Sequence, residues 1–413
     1  MIPTSLDWCQ KQDASDPLRE IRDRFDLPEG VIYMDGNSLG PSPKGVAERL
    51  ANVVQQEWRT DLIKSWNTAD WINLPSRVGA QIAPLIGASG DEVIMADSTS
   101  VNIFKAAAAA CRMNPGRTEI LSEPGNFPTD LYMLQGLADF LGPEYQLKTV
   151  ERTEIKEAIS EKTAVVLLTH VHYVTADMFD MADITEAAHA NGALMVWDLS
   201  HSVGAVPVDL NKADADFAVG CGYKYLNGGP GAPAFIYVAK RHLETARQPL
   251  SGWFGHKAPF DFSDEFEPAA DIRRMLVGTT SVLAASALES ALKAFEGVDM
   301  RVVRQKSLAL ADLFMELVRE RLSVFNLGIV TPEKHSCRGS HVSLSFAEGY
   351  AVVQALIDRG VIGDFRAPNY MRFGFTPLYL GFEDVYRAAE ILEDILRTDT
   401  WKDSKYKAKS RVT

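Results

Sequence analysis

Ala164 to Asp198 reads AVVLLTHVHYVTADMFDMADITEAAHANGALMVWD, and this stretch decides the fold. Its two apolar runs, Ala164–Thr169 and Leu194–Asp198, are hydrophobic almost throughout, so neither alternates as a half-exposed strand does. Ile184–Ala190 between them has helical patterning. Strand, helix, strand with near-continuous apolar strands is the mark of a sheet covered by helices on both faces. The alternation extends outward. Upstream it predicts strand Glu92–Met95, helix Val101–Met113 with five consecutive alanines, strand Thr118–Ser122, helix Asp130–Phe140, strand Gln146–Val150 and a helix around Glu154–Ser160. Downstream it predicts strand Phe217–Gly220.

After about Pro259 the pattern changes. Long helices are expected at Ala284–Phe295 and Lys306–Glu320, and His341–Phe346 (HVSLSF) alternates as a half-buried strand. A helix at Tyr350–Asp358, a strand at Tyr370–Phe375 and a helix near Val385–Leu396 follow. At the start, a polar arm leads into GVIYMDGNSLGPSP (30–43), a short strand and a loop, then a helical Lys44–Trp58. The chain has 413 residues, beyond the ~250–300 at which one core stops growing. The expected architecture is α/β: a mixed sheet with helices on both faces over 61–258, plus a smaller α+β domain assembled from 1–60 and 259–413.

Forty-two Lys and Arg against 55 Asp and Glu give a net charge of −13. That balance argues against nucleic acid or an anionic membrane as the partner, since both need clustered cations. Any anionic ligand must be held by local dipoles and a few placed cations. The four cysteines, Cys9, Cys111, Cys221 and Cys337, form no C-x-x-C pair, which fits a reducing compartment. The first residues show no basic segment followed by an apolar run, and AVVLLTHV is too short to span a bilayer. A cytoplasmic protein is expected. The tail KDSKYKAKSRVT is basic and is assigned no function.

Five constellations carry possible chemistry, each with a plainer alternative. In AVGCGYKYLNGGPG (218–231), Lys224 follows an apolar strand between two tyrosines; such an amine suits a Schiff base, or it snorkels before a turn. Asp198 ends an apolar strand with His201 three residues later; the carboxylate suits a pyridinium partner or a helix cap. ADSTSVN (96–102) places hydroxyls before the Ala-rich helix, as a phosphate site or a simple cap. In NFPTD (126–130), Phe127 can cover an aromatic ligand with Thr129 and Asp130 beside it, or Pro128 and Thr129 merely start a helix. Arg372 in YMRFGF (370–375) demands a carboxylate, either a substrate's or one of the protein's own. His170 and His172 lie two apart on the predicted strand and share a face, but lack further metal ligands.

The order of these features is specific, with Lys224 lying 224 − 198 = 26 residues beyond Asp198. Together with MDGNSLG (34–40), LIKSWN (62–67), NFPTDLY (126–132), WDLSHSVGAVPVDL (197–210), GYKYLNGGPG (222–231), PLSGWFGH (249–256), RGSHVS (338–343) and MRFGFTPLY (371–379), they resemble the kynureninases, especially the bacterial ones. These belong to the class V aminotransferase superfamily of fold-type I enzymes, which use pyridoxal 5'-phosphate. The resemblance runs from about residue 30 to 380. It implies a pyridoxal-phosphate-dependent, transferase-like fold and hydrolysis of L-kynurenine to anthranilate and L-alanine, within tryptophan catabolism and NAD biosynthesis by the kynurenine pathway.

The resemblance further implies residue roles. Lys224 carries the cofactor as a Schiff base, Asp198 pairs with its ring nitrogen and His201 lies beside the ring. Phe127 stacks on it, with Pro128, Thr129, Asp130 and Thr169 nearby. Thr99, Ser100 and Tyr223 contact the phosphate or its surroundings, and Tyr223 is a proton donor. Trp253 and Thr279 reach the phosphate from a second subunit of a homodimer with shared active sites. Arg372 grips the substrate carboxylate, and Trp66 and Gly278 flank the substrate ring. A competing expectation is a cysteine desulfurase or selenocysteine lyase of the same superfamily, with Cys337 as its sulfur-carrying residue. Those enzymes have His before the Schiff-base lysine, whereas here Tyr223 precedes Lys224. A non-catalytic regulator on this scaffold would lack part of the Lys224, Asp198 and Arg372 set.

Overall fold

Successive strand residues point to opposite faces, so a strand that is apolar throughout needs a core on each side. The computed structural model, which describes residues 3–408, supplies both. The last five residues of the basic tail lie outside the described residues. Seven strands form the main sheet: β1 Val93–Met95, β2 Glu119–Ser122, β3 Gln146–Thr149, β4 Thr163–Thr169, β5 Leu194–Asp198, β6 Phe217–Gly220 and β7 Phe235–Val238. Their order is β1-β7-β6-β5-β4-β2-β3. Neighbours from β3 through β6 pair in parallel, and β7 is antiparallel to both β6 and β1.

The two faces separate cleanly. Val165 and Leu167 of β4, Val196 of β5 and Phe217 and Val219 of β6 enter one core with Ala106–Ala110 and Leu134 of the covering helices. Val166 and Leu168, Met195 and Trp197, and Ala218 enter the other, with Met181, Ile184 and Ala188. The helices begin where side chains satisfy their free N–H groups. Ser98 caps Thr99–Met113 by accepting from Val101 N, Asp180 caps Met181–Ala190, and Pro128 opens Pro128–Leu141.

A second, antiparallel sheet contains β8 Gly328–Ile329, β9 His341–Ser345, β10 Asp364–Arg366 and β11 Tyr370–Gly374, ordered β10-β11-β9-β8. Helices Met300–Leu322, Gly349–Asp358 and Phe382–Arg397 bury their apolar faces in the same core as its strands. The chain's start joins its end here. Ile32–Tyr33 pairs in parallel with Val361–Ile362, and Asp13 accepts from the N–H groups of Phe382 and Glu383 at 2.7 and 2.8 Å.

Helix Leu74–Ile82 and the short strands β8, β10 and Val361–Ile362 were not foreseen from sequence, and three further differences have clear causes. The polar arm contains a helix, Leu6–Ala14, whose few apolar residues, including Trp8 against Phe382, suffice for docking. Helix Val46–Asn52 continues into a π-helical turn, Val53–Trp58. The strand–helix rhythm missed β7. It returns from β6 through a Gly/Pro-rich loop without a crossover helix, as only an antiparallel neighbour permits.

Between the ends of β5, β6 and β7 lies a buried carboxylate, Asp216. It accepts from Met195 N at 2.7 Å, His189 Nε2 at 2.8 Å, and His242 Nε2 and Arg241 Nη2 at 2.7 Å. Burial alone would raise its pKa, but the hydrogen bonds from His189, His242 and Met195 hold it well below the usual carboxylate range. The Asp216 bond in turn raises the pKa of His189. Asp216→Ala is expected to cost about 3 kcal/mol in chemical denaturation, because it strands the buried Met195 N–H and leaves His189, His242 and Arg241 without their shared acceptor. A group whose pKa is raised by folding stabilises fully below its unfolded value and loses this as pH rises through its folded value. The stability gap between wild type and His189→Asn is therefore expected to be widest in mild acid and to close above neutrality, measured by melting temperature against pH.

Candidate active site

Parallel strands deliver their carboxyl ends to one edge of the sheet, where open α/β sheets bind ligands. At that edge Thr169 on β4 is the register partner of Asp198 on β5, and Asp198 that of Val219 on β6. The chain leaving β6 carries Tyr223 and Lys224. Helix Thr99–Met113 starts just beyond β1, and Pro128–Leu141 just beyond β2. The N-terminal segment closes against this edge: Gly40 N donates to Tyr223 O at 2.8 Å, and a Cβ on Gly40 would overlap the Lys224 carbonyl. That contact explains the glycine of MDGNSLG.

A cavity of about 140 Å³ lies among these elements. Asp130, Asp198 and Lys224 form its charged part, Thr99, Ser100 and Thr129 a hydroxyl wall, and Phe127, His201 and Tyr223 its rings. Ser98 and Ser200, which the sequence reading did not single out, complete it. Lys224 Nζ donates to His201 Nε2 at 3.3 Å and lies 5.7 Å from the centroid of Phe127 and 5.8 Å from that of Tyr223. Burial, and then the Lys224 charge, pull the pKa of His201 well below its ordinary value, so the ring is neutral and can accept.

Asp198 and Asp130 are both buried. Asp198 Oδ1 accepts from Ser200 N at 2.9 Å and Ser200 Oγ at 2.6 Å. Thr169 Oγ1 lies 2.5 Å from Asn126 Oδ1, 3.0 Å from Asp130 Oδ2 and 3.4 Å from Asp198 Oδ2. One hydroxyl proton cannot serve all these acceptors, so a proton on Asp130 completes the set. The electrostatics agree: burial and then the neighbouring Asp198 charge raise Asp130 well above the usual carboxylate range. Asp198 is raised by burial, but the Ser200 bonds and Lys224 oppose the rise. Burial and the Asp198 charge thus push Asp130 toward its neutral form, while Ser200 and Lys224 favour the charge on Asp198.

These groups fit pyridoxal phosphate. Lys224 is an amine at the cavity wall, and Phe127 and His201 offer flat surfaces. Asp130 Oδ1 is buried with no partner, leaving a polar atom for a ligand. The 15-residue helix at Thr99 presents first-turn N–H groups and hydroxyls to an anion. Ser100 Oγ and Thr129 Oγ1, 3.2 Å apart, come from the two helix starts.

Other predicted residues lie elsewhere. Arg372 is fully buried and paired within the protein. Its Nε donates to Asp364 Oδ1 at 2.7 Å, Nη2 to Asp364 Oδ2 at 2.5 Å and to Ser38 Oγ at 3.0 Å, and Nη1 to Tyr173 O at 2.5 Å. The Tyr173 ring packs edge-on against Phe127 at 5.2 Å, which links Arg372 to the cavity. Sequence reading missed Asp364 and Tyr173. The signal for Asp364 was its register opposite Arg372, which needs the pairing of β10 with β11.

Trp66, Trp253, Gly278 and Thr279 form a separate group. Phe254 packs on Trp66 at 5.8 Å and on Trp253 at 4.4 Å, and its N–H donates to Val277 O at 3.2 Å. Gly278 and Thr279 line another cavity, of about 280 Å³, with Asp97, Gly231 and Pro233.

His170 and His172 were expected on one strand face, but β4 ends at Thr169. His170 Nδ1 meets Ser202 Oγ at 2.9 Å, and His172 Nε2 donates to Gly125 O at 2.9 Å. Among the described residues no group of three or more His, Cys, Asp or Glu is arranged to hold a metal. No helix among them is long and apolar enough to cross a membrane. Cys337 sits in the turn His335–Cys337 and does not line the Lys224 cavity.

Comparison with known proteins bears on the family of the chain. Residues 303–392 match the family model described as the kynureninase C-terminal domain. The kynureninase of Pseudomonas fluorescens is 50% identical over 415 residues, covering 99% of this chain and 100% of that protein. That of Burkholderia mallei (strain SAVP1) is 50% identical over 406 residues, covering 97% and 98%. The fold is similar to that of a cysteine desulfurase from Thermococcus onnurineus NA1, with a TM-score of 0.79 at 20% identity, covering 92% of this chain and 98% of that one. The cysteine desulfurase CsdA of Escherichia coli gives a TM-score of 0.76 at 19% identity, with the same coverage. Those two likenesses concern the fold alone, whereas half-identity along nearly the whole length does more: the chain belongs to the kynureninase family.

Proposed function

We propose that this protein hydrolyses L-kynurenine to anthranilate and L-alanine by pyridoxal-phosphate-dependent cleavage of the Cβ–Cγ bond, within tryptophan catabolism and NAD biosynthesis by the kynurenine pathway. The observation that carries this reading is one cavity gathering Lys224, Asp198, His201 and Phe127 on a chain of the kynureninase family.

Pyridoxal phosphate, when bound, supplies an electron sink for the charge left on carbon as a bond breaks. Lys224 would hold it through Nζ, and its amine would be the base that takes the substrate Cα proton. Asp198, whose charge the Ser200 bonds favour, would face the ring nitrogen and keep a proton there. Phe127 and His201 confine the ring, while Thr99, Ser100 and the helix N–H groups hold the phosphate. Pro128 sets the helix start that presents Thr129 and Asp130, and Thr169 ties Asp130 to Asp198. Water adds across the γ-carbonyl, and as the hydrate loses an O–H proton the Cβ–Cγ bond breaks, its electron pair passing to Cβ and the carboxyl group leaving with anthranilate. Tyr223, held protonated by burial, donates to the departing carbon. Arg372 takes the α-carboxylate, and Trp66 and Gly278 flank the aryl ring.

The reading includes a cytoplasmic homodimer in which Trp253 and Thr279 complete the partner's phosphate site. Their separation from the Lys224 cavity supports this. So do the exposed Trp253, Phe260, Phe262 and Leu283, and an apolar hollow of about 600 Å³ beside Gly228–Pro230. It also includes a larger cofactor domain over 61–258 and a smaller one from both chain ends.

In a fluorescence assay for anthranilate, Lys224→Ala is expected to lower kcat at least about 1,000-fold. Near-normal turnover in that variant would remove Lys224 from the chemistry. Cys337→Ser is expected to stay within about twofold of wild type, whereas a desulfurase would lose its sulfur acceptor. Shared sites have their own test. Lys224→Ala and Trp253→Ala proteins, each inactive alone, are mixed and allowed to exchange subunits. Heterodimers keep one intact site, so activity is expected to return to roughly a quarter of wild type. No recovery, with exchange demonstrated, would place Trp253 in its own subunit's site.

A further inference from the structure

Asp364 meets two guanidiniums, not one. Besides its bidentate pair with Arg372, its Oδ2 forms an ion pair with Arg366 Nη2 at 2.7 Å. Ser38 sits between them. Its hydroxyl donates to Asp364 Oδ2 at 2.7 Å and accepts from Arg372 Nη2 at 3.0 Å and Arg366 Nη2 at 3.3 Å. The two arginines differ sharply in what they have left to offer.

A guanidinium carries five N–H donors. Arg372 spends four, on Asp364 twice, Ser38 and the Tyr173 carbonyl, which leaves a single N–H on Nη1. Gripping a carboxylate in a fork takes two parallel N–H groups. Arg372 alone cannot supply them without giving up a buried partner. Among the described residues Arg366 engages only its Nη2, in a hydrogen bond to Ser38 and the ion pair with Asp364. Its Nε is buried with no hydrogen-bond partner, an orphan donor that costs free energy until an acceptor arrives. The rest of its side chain is less enclosed, 37% exposed against 1% for Arg372, so the guanidinium can turn toward a ligand with fewer buried partners to give up.

Charge points the same way. Two guanidiniums face Asp364, and the other acid in the cluster, Asp35, is pushed up to about 7 by burial and then by Asp364. Asp35 thus carries only part of a charge near neutrality, and positive charge stays uncompensated in a half-dry site. Its link to the reaction runs through its neighbour: Arg372 donates to the Tyr173 carbonyl, and the Tyr173 ring packs on Phe127, which lines the Lys224 cavity.

We propose that Arg366 is a second carboxylate-binding group, acting with Arg372 on one substrate α-carboxylate while Asp364 and Ser38 hold the two guanidiniums side by side. Recognition of the amino-acid end of the substrate is then a two-arginine task, with Arg372 fixed and Arg366 the accessible partner. This rests on the proposed kynurenine reading for its substrate, but not for its measurement.

The test uses holoenzyme and two readouts. L-alanine, which has the carboxylate and no aryl ring, is titrated while the visible absorption of the bound cofactor is followed; kynurenine kinetics are measured separately. Arg366→Gln is expected to raise both the Kd for L-alanine and the KM for kynurenine about 10-fold or more, with kcat changed less than about threefold. Arg366→Lys, which keeps the charge but not the fork, is expected to fall between. It also carries the test should Arg366→Gln fail to fold. Unchanged Kd and KM would overturn the proposal, as would a loss confined to kcat. A wild-type protein that binds L-alanine but leaves kynurenine intact would defeat the kynurenine reading and still let Arg366 be judged by alanine affinity.

Discussion

Asp198 and Lys224 are opposite charges closed into one buried site, and neither is tolerable there alone. An unpaired ionised group in a low-dielectric interior either shifts its pKa until it is neutral or destabilises the fold. The remaining parts of the site follow from this constraint. Ser200 must cap Asp198 from the turn after β5, and Thr169 must reach across from β4. Asp130 must take a proton, so that two carboxylates do not compete for one lysine. His201 must be neutral to accept from the Lys224 ammonium. These demands require parallel strands whose ends stop in register.

The acidic composition is no obstacle to binding anions at two points, because net charge is a poor guide to local potential. At one point the field comes from a helix N-terminus and its hydroxyls, which add no formal charge at all. At the other it comes from two arginines clustered on a single aspartate. The surplus of carboxylates lies mostly where water screens it.

Most of the main sheet was legible because burial on both faces leaves an uninterrupted apolar run, and β5 and β6 were bounded to the residue. The candidates around Lys224 were legible because each stands just beyond such a run or at a helix start, where position along the chain nearly equals position in space. What escaped depends on pairing. β7 follows a loop with no helix, and Asp364 acquires its meaning only from the register that sets it opposite Arg372. The sequence reading left open whether Arg372 pairs with a substrate or with the protein, and Asp364 supplies the internal partner. Helix Leu6–Ala14 escaped because its sequence is polar on most sides and its stability comes from docking rather than periodicity.

One buried lysine connects the two groups of candidate residues. Lys105 lies on the helix whose first turn holds Thr99 and Ser100. Its fully buried ammonium donates to Asp97 Oδ2 at 2.7 Å and to the Met275 carbonyl at 2.6 Å. Met275 leads directly into Gly278 and Thr279, and Val277 beside it anchors Phe254, Trp253 and Trp66. The helix that presents hydroxyls to one cavity therefore also sets the position of the aromatic group outside it. An ammonium without solvent has few ways to satisfy three protons, so the length of this strut is fixed by geometry rather than by chain flexibility. A displacement of segment 275–279 would strand that charge. The position of the second group is thus set by the same helix that frames the first.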